Sequence, residues 1–175
     1  MQQQIQLLHS SEEFRLVHLA DTFMELSERF KQEEHLLGKE PEELMRQFLN
    51  SLSVVAFSGF QIVGHLTLWH LEGDWYESGS IWVHPRARRE GLATMLKKEL
   101  VRRSPHFNVL STTTNSVVMR MNGSLGIPEL DFWELPLEIH SATCICSAEK
   151  MQADCFHDCR LKNQQCRLFV RRRLE

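Results

Sequence analysis

Residues 77–93 constrain the fold of this chain more than any other segment. Three of the four residues at 80–83 are β-branched or aromatic and predict a strand, which Pro85 ends because proline has no N–H for a neighbouring strand. Residues 88–93, Arg-Arg-Glu-Gly-Leu-Ala, then lead into apolar residues at helical spacing. Small residues at 91 and 93 let a ligand approach the backbone, where the first turn of a helix has unpaired N–H groups at its positive dipole end. The segment therefore predicts either a phosphate-binding turn or an ordinary strand-to-helix connection with basic residues.

The order of these residues resembles the acetyl-CoA pyrophosphate loop of the GNAT superfamily of N-acetyltransferases. That loop has the usual form Val-x-Pro-x-x-Arg-x-x-Gly-x-Gly/Ala. It is matched position for position by Val83, Pro85, Arg88, Gly91 and Ala93. The match is more specific than a glycine-rich loop alone, because the strand before it and the helix after it are both predicted.

A second match lies further along the chain. Asn115 is followed by Leu125, Gly126 and Ile127, which resembles the family's Asn…Leu-Gly-Phe helix with Ile127 in place of phenylalanine. The resemblance covers about residues 4–140. It implies the GNAT acyl-CoA N-acyltransferase fold of the α/β (α+β) class, a mixed, mostly antiparallel sheet of roughly six to seven strands flanked by about four helices. We expect residues 1–175 to form a single domain, with a cysteine-rich insertion at about 140–166.

Hydrophobic periodicity predicts the elements along the chain. Strands are predicted at 4–9, 53–57, 62–69, 76–83, 107–112, 131–139 and 165–172, with Pro136 at a bulge or a sheet edge. Helices are predicted within 14–37, with Gly38 as a stop, and at about 41–52, 91–103 and 115–125.

In the GNAT family the backbone of the loop holds the pyrophosphate of CoA. The resemblance implies that the N–H groups of residues 89–94 cradle this group, while Arg88 and Arg89 add positive charge. It also implies that the Val83 N–H faces the thioester carbonyl and that Asn115 contacts the pantetheine arm, although Asn115 suits a helix N-cap equally well. The expected cofactor-binding residues are Trp82, Val83, Arg88, Arg89, Glu90, Gly91, Leu92, Ala93, Thr94 and Asn115.

Glu77 is the candidate catalytic base. It precedes Val83 by six residues, where several family members place a carboxylate that deprotonates the amine, and the even spacing predicts that both residues share one strand face. The alternative is a solvated charge at a strand start beside Asp74. A strand histidine is more often structural than catalytic. The rival bases are His65, His70 and His84.

One position departs from the family pattern. The family often has a tyrosine seven residues after the asparagine, where it protonates the leaving thiolate, whereas this chain has Asn122 there and its one tyrosine is Tyr76. Asparagine cannot act as an acid. Water or another side chain, such as Ser124, would therefore have to protonate the thiolate.

Charge and hydropathy exclude two classes of partner. A net charge of −3 over 175 residues gives no general attraction to nucleic acid. No apolar run approaches the roughly 20 residues that span a bilayer. The first residues do not form a basic region followed by an apolar one, as a secretory signal would. We therefore expect a cytoplasmic protein with neither nucleic acid nor membrane as a partner.

Cysteines in that compartment are expected to be thiols or metal ligands rather than disulfides. Cys144, Cys146, Cys155 and Cys159 lie close together in the sequence, and zinc prefers four thiolate or imidazole ligands. Their spacing is not that of common zinc knuckles. The alternatives are a structural zinc site at these four residues, or thiols that pack as small apolar groups, as Cys166 would in a strand.

The sequence thus predicts an acyltransferase, a GNAT-type enzyme that transfers an acetyl group from acetyl-CoA to a primary amine of a small molecule or peptide. Its partners would be acetyl-CoA and the amine acceptor, and pairing through late strands, as in many relatives, would give a homodimer. The alternative is a catalytically weak or inactive acyl-CoA-binding module with a metal-stabilised interaction loop. Asn122 favours the module, whereas Glu77 and the intact loop favour the enzyme.

Overall fold

The computed structural model describes residues 5–8, 19–33, 36, 38–143 and 166–174. Within these ranges the strands are β1 Ile5–Leu8, β2 Ser53–Ser58, β3 Gln61–His70, β4 Trp75–Val83, β5 Asn108–Thr113, β6 Glu129–Leu130 and β7 Arg167–Arg171. The α-helices in the same ranges are α1 Leu19–Lys31, α2 Pro41–Leu49, α3 Leu92–Arg103, α4 Ser116–Ser124 and α5 Leu137–Thr143.

The strands are hydrogen-bonded in the order β1-β2-β3-β4-β5-β7-β6. Four neighbouring pairs, β1 with β2, β2 with β3, β5 with β7 and β6 with β7, are antiparallel, whereas β4 and β5 are parallel. The predicted mixed, mostly antiparallel sheet is confirmed. The register between β4 and β5 runs over three residue pairs and ends with Glu77 opposite Leu110.

The chain divides into two compact units, and the division falls within β4. One unit comprises Met1–Trp69 and Ser78–Ser104, and the other comprises His70–Glu77 and Pro105–Glu175. Each unit has an apolar core of its own.

In the core of the first unit, the inner faces of α1 and α2 pack against residues of β2, β3 and β4. On both helices the buried apolar residues recur at three- and four-residue spacing, which places them on one helix face. Residues of this core are Leu19, Phe23, Leu26, Phe30, Leu44, Phe48, Val55, Phe57, Ile62 and Trp82. Pro41 occupies the start of α2, where its missing N–H leaves no bond unmade, as the sequence predicted. The helix predicted within 14–37 is confirmed at Leu19–Lys31, and residues 14–18 lie outside the described residues.

Helix α3 belongs to the same unit and lies very close to β3 at Gly64. A methyl group placed on Gly64 would lie 3.0 Å from Cδ1 of Leu96, 3.3 Å from Cδ2 of Leu92 and 3.4 Å from Cβ of Ala56. Both leucines are almost fully buried. The missing side chain at Gly64 therefore lets α3 approach the strands. At the residue after Leu96, the buried ammonium group of Lys97 donates a hydrogen bond to the hydroxyl of Ser78 on β4.

The core of the second unit joins strands β4, β5 and β7 to the segment around α5. Its buried residues are Trp75, Leu110, Leu135, Ile139, Leu168 and Val170. The last strand, predicted at 165–172, is confirmed as β7 and pairs with β5 from Val109 opposite Arg171 to Thr113 opposite Arg167.

The strand predicted at 131–139 is wrong. A strand of two residues, Glu129–Leu130, ends before it, and a short 3₁₀ helix, Phe132–Glu134, follows. Its first turn is closed because the Glu134 carboxylate accepts the Asp131 N–H at 2.8 Å. Pro136 then stands directly before α5, where its carbonyl accepts the His140 N–H at 2.9 Å, rather than at a strand bulge. Capping and proline placement have outweighed the alternating apolar pattern.

None of the described helices combines the length and the apolar character that crossing a bilayer requires.

Replacing Gly64 with valine should destabilise the protein by about 1–3 kcal/mol, because the new side chain must displace Leu92 and Leu96 in a filled core. Valine is otherwise favourable in a strand, so a loss would report on packing. Urea unfolding measures the change. The control Gln61→Val adds the same side chain to an exposed position of β3. Equal stability of both variants would contradict the close approach of α3.

Candidate functional site

The segment between β4 and α3 is a tightly hydrogen-bonded turn. The His84 N–H donates to the Val63 carbonyl at 2.8 Å, which holds the end of β4 against β3. The His84 Nδ1 accepts the Arg86 N–H at 3.2 Å and so caps a short 3₁₀ helix, Pro85–Ala87. The Ala87 N–H donates to the His84 carbonyl at 2.8 Å. These bonds fix the path of the chain into the residues that follow.

Gly91 is the N-cap of α3 and has a left-handed backbone with φ 78°. A methyl group placed on it would meet no heavy atom of the described residues, apart from its chain neighbours, within 4 Å, so this side of the backbone is open with respect to them. The first bond of the helix runs from the Met95 N–H to the Gly91 carbonyl at 3.0 Å. The N–H groups of residues 92–94 therefore have no carbonyl acceptor within the helix, and no side chain of the described residues caps its N-terminus. An open backbone with unpaired donors at the positive helix end fits an anion such as a pyrophosphate.

The predicted cofactor-binding residues differ in whether their side chains are accessible to a ligand. Trp82 and Leu92 are buried in the core, with 3% and 2% of their surface exposed, so they can offer a ligand their backbone groups but not their side chains. Arg89 and Glu90 are exposed. Arg89 also has a left-handed backbone with φ 70°, which costs about 1–2 kcal/mol in a residue with a side chain.

Arg88 is held by two groups of its own unit. Its Nε donates to the Val83 carbonyl at 2.9 Å, and its Nη2 forms an ion pair with the carboxylate of Glu33. The structure therefore brings Val83 and Arg88 together. It also adds Glu33, a residue to which the sequence had assigned no role at the loop.

Glu77 lies in the second unit, as the third residue of β4, and is half-buried. Its carboxylate accepts a hydrogen bond from the hydroxyl of Thr112 on β5. Asp74, by contrast, forms an ion pair with Arg173 at 2.7 Å. Glu77 is thus not a solvated charge at a strand start, and Thr112 is a partner that the sequence did not indicate.

Ser80 interrupts the regular alternation of β4. It has a left-handed backbone with φ 55°. The buried residues of the strand are Trp75, Ser78 and Trp82, which do not follow a single two-residue period. Counting positions through Ser80 therefore no longer assigns Glu77 and Val83 to one strand face, contrary to the sequence prediction.

Asn115 and Asn122 lie in the second unit at the two ends of one helix. The Asn115 side chain accepts the Val117 N–H at 2.8 Å and caps α4, so the N-cap interpretation is confirmed. Asn122 is completely buried. Both polar atoms of its amide have no hydrogen-bond partner among the described residues. It can neither donate a proton as an acid nor reach the protein surface.

The three rival histidines have structural roles. His70 Nε2 bonds to the Gly73 carbonyl at 3.0 Å, and His84 caps a turn as described. His65 is completely buried beside Phe30, and its Nδ1 donates to the Ser80 carbonyl at 3.1 Å. Burial lowers the pKa of His65 to about 4, against the opposing effect of the Ser80 bond. His65 is therefore neutral near pH 7 and out of reach of a substrate.

The proposed zinc ligands Cys144, Cys146, Cys155 and Cys159 lie outside the described residues. In the part of the chain that the structure does describe, no group of three or more His, Cys, Asp or Glu side chains could hold a metal ion. Cys166, which precedes β7, is exposed rather than packed in a strand.

Comparison with known proteins assigns this fold and loop to a family. Residues 20–121, more than half of the chain, match the model of the acetyltransferase (GNAT) family, so the chain belongs to this family of acyltransferases. The family predicted from the loop is thereby confirmed. Comparison with curated protein sequences gave no match.

Solved structures share the fold at low sequence identity. Rv2747 from Mycobacterium tuberculosis, in complex with CoA, is 16% identical over 95% of this chain and 99% of its own, with a TM-score of 0.66. Diaminobutyrate acetyltransferase EctA from Paenibacillus lautus, in complex with L-2,4-diaminobutyric acid and coenzyme A, is 14% identical over 96% of this chain and 94% of its own, with a TM-score of 0.62. N-acetylglutamate synthase from Neisseria gonorrhoeae, complexed with coenzyme A and N-acetyl-glutamate, is 16% identical over 100% of this chain, with a TM-score of 0.61. The chain spans only 36% of that last protein.

Because the pKa of His65 is about 4 in the folded protein and about 6.5 when unfolded, the unfolded state binds one more proton between these values. The free energy of unfolding should therefore fall as the pH falls through this window, by about 3 kcal/mol in total. Urea unfolding at pH 7, 5.5 and about 4 measures this slope. In His65→Leu the slope should flatten, whereas the control His106→Gln, at an exposed position, should keep it. An unchanged slope in His65→Leu would contradict the assignment.

Proposed function

We propose that this protein transfers an acetyl group from acetyl-CoA to a primary amine of a small molecule or peptide. The observation that carries the proposal is the turn at Gly91, where an open, left-handed backbone leads into unpaired N–H groups of α3. Family membership supports the reaction type. The relatives solved with amino-acid ligands support an amine acceptor.

In this proposal the pyrophosphate of acetyl-CoA is held mainly by backbone. The N–H groups of residues 89–94 would donate to its oxygens, and the exposed Arg89 would add charge-assisted bonds. Arg88 would contribute less than an unpaired arginine, because Glu33 already neutralises part of its charge. Trp82 and Val83 would offer backbone groups to the thioester end, with the Val83 N–H as a donor to the developing oxyanion. Asn115 would contact the pantetheine arm in addition to capping α4.

Glu77 is proposed as the base. It would take a proton from the amine, directly or through one water, while the amine nitrogen attacks the thioester carbonyl carbon. The tetrahedral intermediate then collapses, the C–S bond breaks, and an amide and the CoA thiolate are formed. The hydrogen bond from Thr112 would orient the Glu77 carboxylate for this role. No covalent enzyme intermediate is needed, because the substrate is the nucleophile.

The thiolate also needs a proton. Asn122, at the position where the family often has a tyrosine, is buried and cannot supply one. The hydroxyl of Ser124 donates to the Met121 carbonyl at 2.8 Å and is committed to the helix. We therefore assign this proton to water, which keeps the reaction balanced without a protein acid.

The second candidate is an acyl-CoA-binding module without turnover. The observation that favours it is the complete burial of Asn122, which leaves no described replacement for the family's tyrosine. A screen of primary amines with acetyl-CoA distinguishes the two functions. Acetylation of any amine that depends on Glu77 establishes the enzyme, whereas CoA binding without turnover across the screen establishes the module.

The variant Gly91→Glu should abolish binding of acetyl-CoA in isothermal titration calorimetry. Its side chain would fill the open face of the loop, and its charge would repel a pyrophosphate. The matched control is Gly59→Glu at the tip of the β2–β3 hairpin. Gly59 has a similar left-handed backbone, φ 61° against 78°, and equally open surroundings, so the backbone strain and the charge change are the same.

Binding to the wild type and to Gly59→Glu, but not to Gly91→Glu, would place the pyrophosphate at the loop. Loss of binding in both variants would point to strain or charge as the cause. A wild-type protein that binds no acetyl-CoA would overturn the proposed function.

The variant Glu77→Gln should lower turnover about a hundredfold or more and leave acetyl-CoA affinity unchanged, since glutamine keeps the acceptor for Thr112 but cannot take a proton. Steady-state rates with the best amine and calorimetry with acetyl-CoA measure the two effects separately. Asp74→Asn is the control, because it removes an acidic charge three residues earlier without touching Thr112. Equal rates for both variants would exclude Glu77 as the base.

A further inference from the structure

The guanidinium of Arg88 forms hydrogen bonds to described residues through some of its N–H groups and leaves the others without such a partner. Its five N–H bonds include one on Nε, which donates to the Val83 carbonyl at 2.9 Å, and one on Nη2, which donates to the Glu33 carboxylate. Among the residues that the structure describes, the two N–H bonds of Nη1 and the second of Nη2 have no acceptor. Arg88 can therefore meet an anion without leaving Glu33.

Glu33 is held in place by backbone bonds of its own. It follows the end of α1, where its N–H donates to the Phe30 carbonyl at 3.1 Å and its carbonyl accepts the Leu36 N–H at 3.2 Å. Phe30 is completely buried in the core of the same unit. The Glu33 side chain is 32% exposed, against 47% for Arg88. The Glu33 carboxylate is thus attached to backbone that hydrogen bonds hold in place.

Stability alone gives little reason for this ion pair. Partly exposed pairs contribute little to stability, because water and salt screen the charges and ordering two long side chains has an entropic cost. Most other ion pairs among the described residues of this unit join residues three or four apart on one helix, such as Glu28 with Lys31. The pair of Glu33 with Arg88 instead joins the segment after α1 to the loop across 55 positions of sequence.

We propose that Glu33 is a positioning residue that tunes the loop's affinity for the pyrophosphate of CoA. It orients Arg88 and at the same time offsets its charge, so the anion must share this arginine with a carboxylate. This inference rests on the proposed function, because it assigns the loop the same ligand. It adds that CoA binding is kept weaker than the loop alone would allow, which favours release of the CoA product.

The two effects of Glu33 can be separated by one substitution. Glu33→Gln keeps an oxygen acceptor at the same reach, so Arg88 stays oriented while the negative charge is lost. If charge balance is the main effect, CoA should bind about 3- to 5-fold more tightly. If Glu33 only orients Arg88, the affinity should stay unchanged.

The experiment is calorimetric titration of CoA into the wild type, Glu33→Gln and Glu28→Gln, at about 0.05 M and about 0.5 M salt. Glu28→Gln is the matched control, since it removes a carboxylate from α1 that pairs with Lys31 at 2.7 Å rather than with the loop. The gain in Glu33→Gln should shrink at high salt, because it is electrostatic. It should also disappear in the background of Arg88→Gln, since Glu33 acts through Arg88.

The inference is supported if CoA binds more tightly to Glu33→Gln than to the wild type and Glu28→Gln, and if this gain shrinks at high salt and disappears in the Arg88→Gln background. A wild type that binds CoA with the same affinity as Glu33→Gln, or a gain equal to that of Glu28→Gln, overturns it and leaves the proposed function intact. A gain that persists in the Arg88→Gln background also overturns it. A wild type that binds no CoA overturns both the inference and the proposed function.

Discussion

The close contact between α3 and β3 at Gly64 determines what the loop can do. A helix presents unpaired N–H groups only in the direction of its axis, so the site depends on where the core seats that helix. Leu92 and Leu96 press against the space that Gly64 leaves empty, and the His84 N–H ties the end of β4 to β3. The anion-binding geometry is therefore a result of packing in the first unit, and the loop residues complete it.

The loop was predictable because its determinants are local. A strand, a proline, a small residue and an apolar helical period lie within one short segment, and each acts through backbone rules that need no distant partner. The same rules explain why the motif tolerates large residues such as Trp82 and Leu92, whose side chains are buried in the core and need not contact a ligand. The family and the mixed sheet followed from these local patterns.

The features that the sequence did not predict depend on distant partners or on irregular backbone. The partners of Arg88 and Glu77 lie 55 and 35 positions away in sequence, and no periodicity links such pairs. The left-handed backbone of Ser80 breaks a strand count that assumed regular alternation. At 131–139 the apolar pattern suited a strand. The structure instead has a short helical turn there, closed by the bond from the Asp131 N–H to the Glu134 carboxylate. Local hydrogen bonds there outweighed hydrophobic alternation.

The buried Lys97 has a consequence for the register of α3. Its ammonium group donates a hydrogen bond to the Ser78 hydroxyl on β4 inside the protein, a directional contact that leucine or methionine at this position could not form. If α3 slid along the sheet, the charge would lose this acceptor in surroundings that exclude water, at a cost of several kcal/mol. The packing at Gly64 sets how near α3 lies to the strands, and the bond from Lys97 to Ser78 adds a directional contact that helps to fix its position along them. The position of the first turn of α3 therefore depends in part on Lys97, a residue outside the predicted cofactor-binding set.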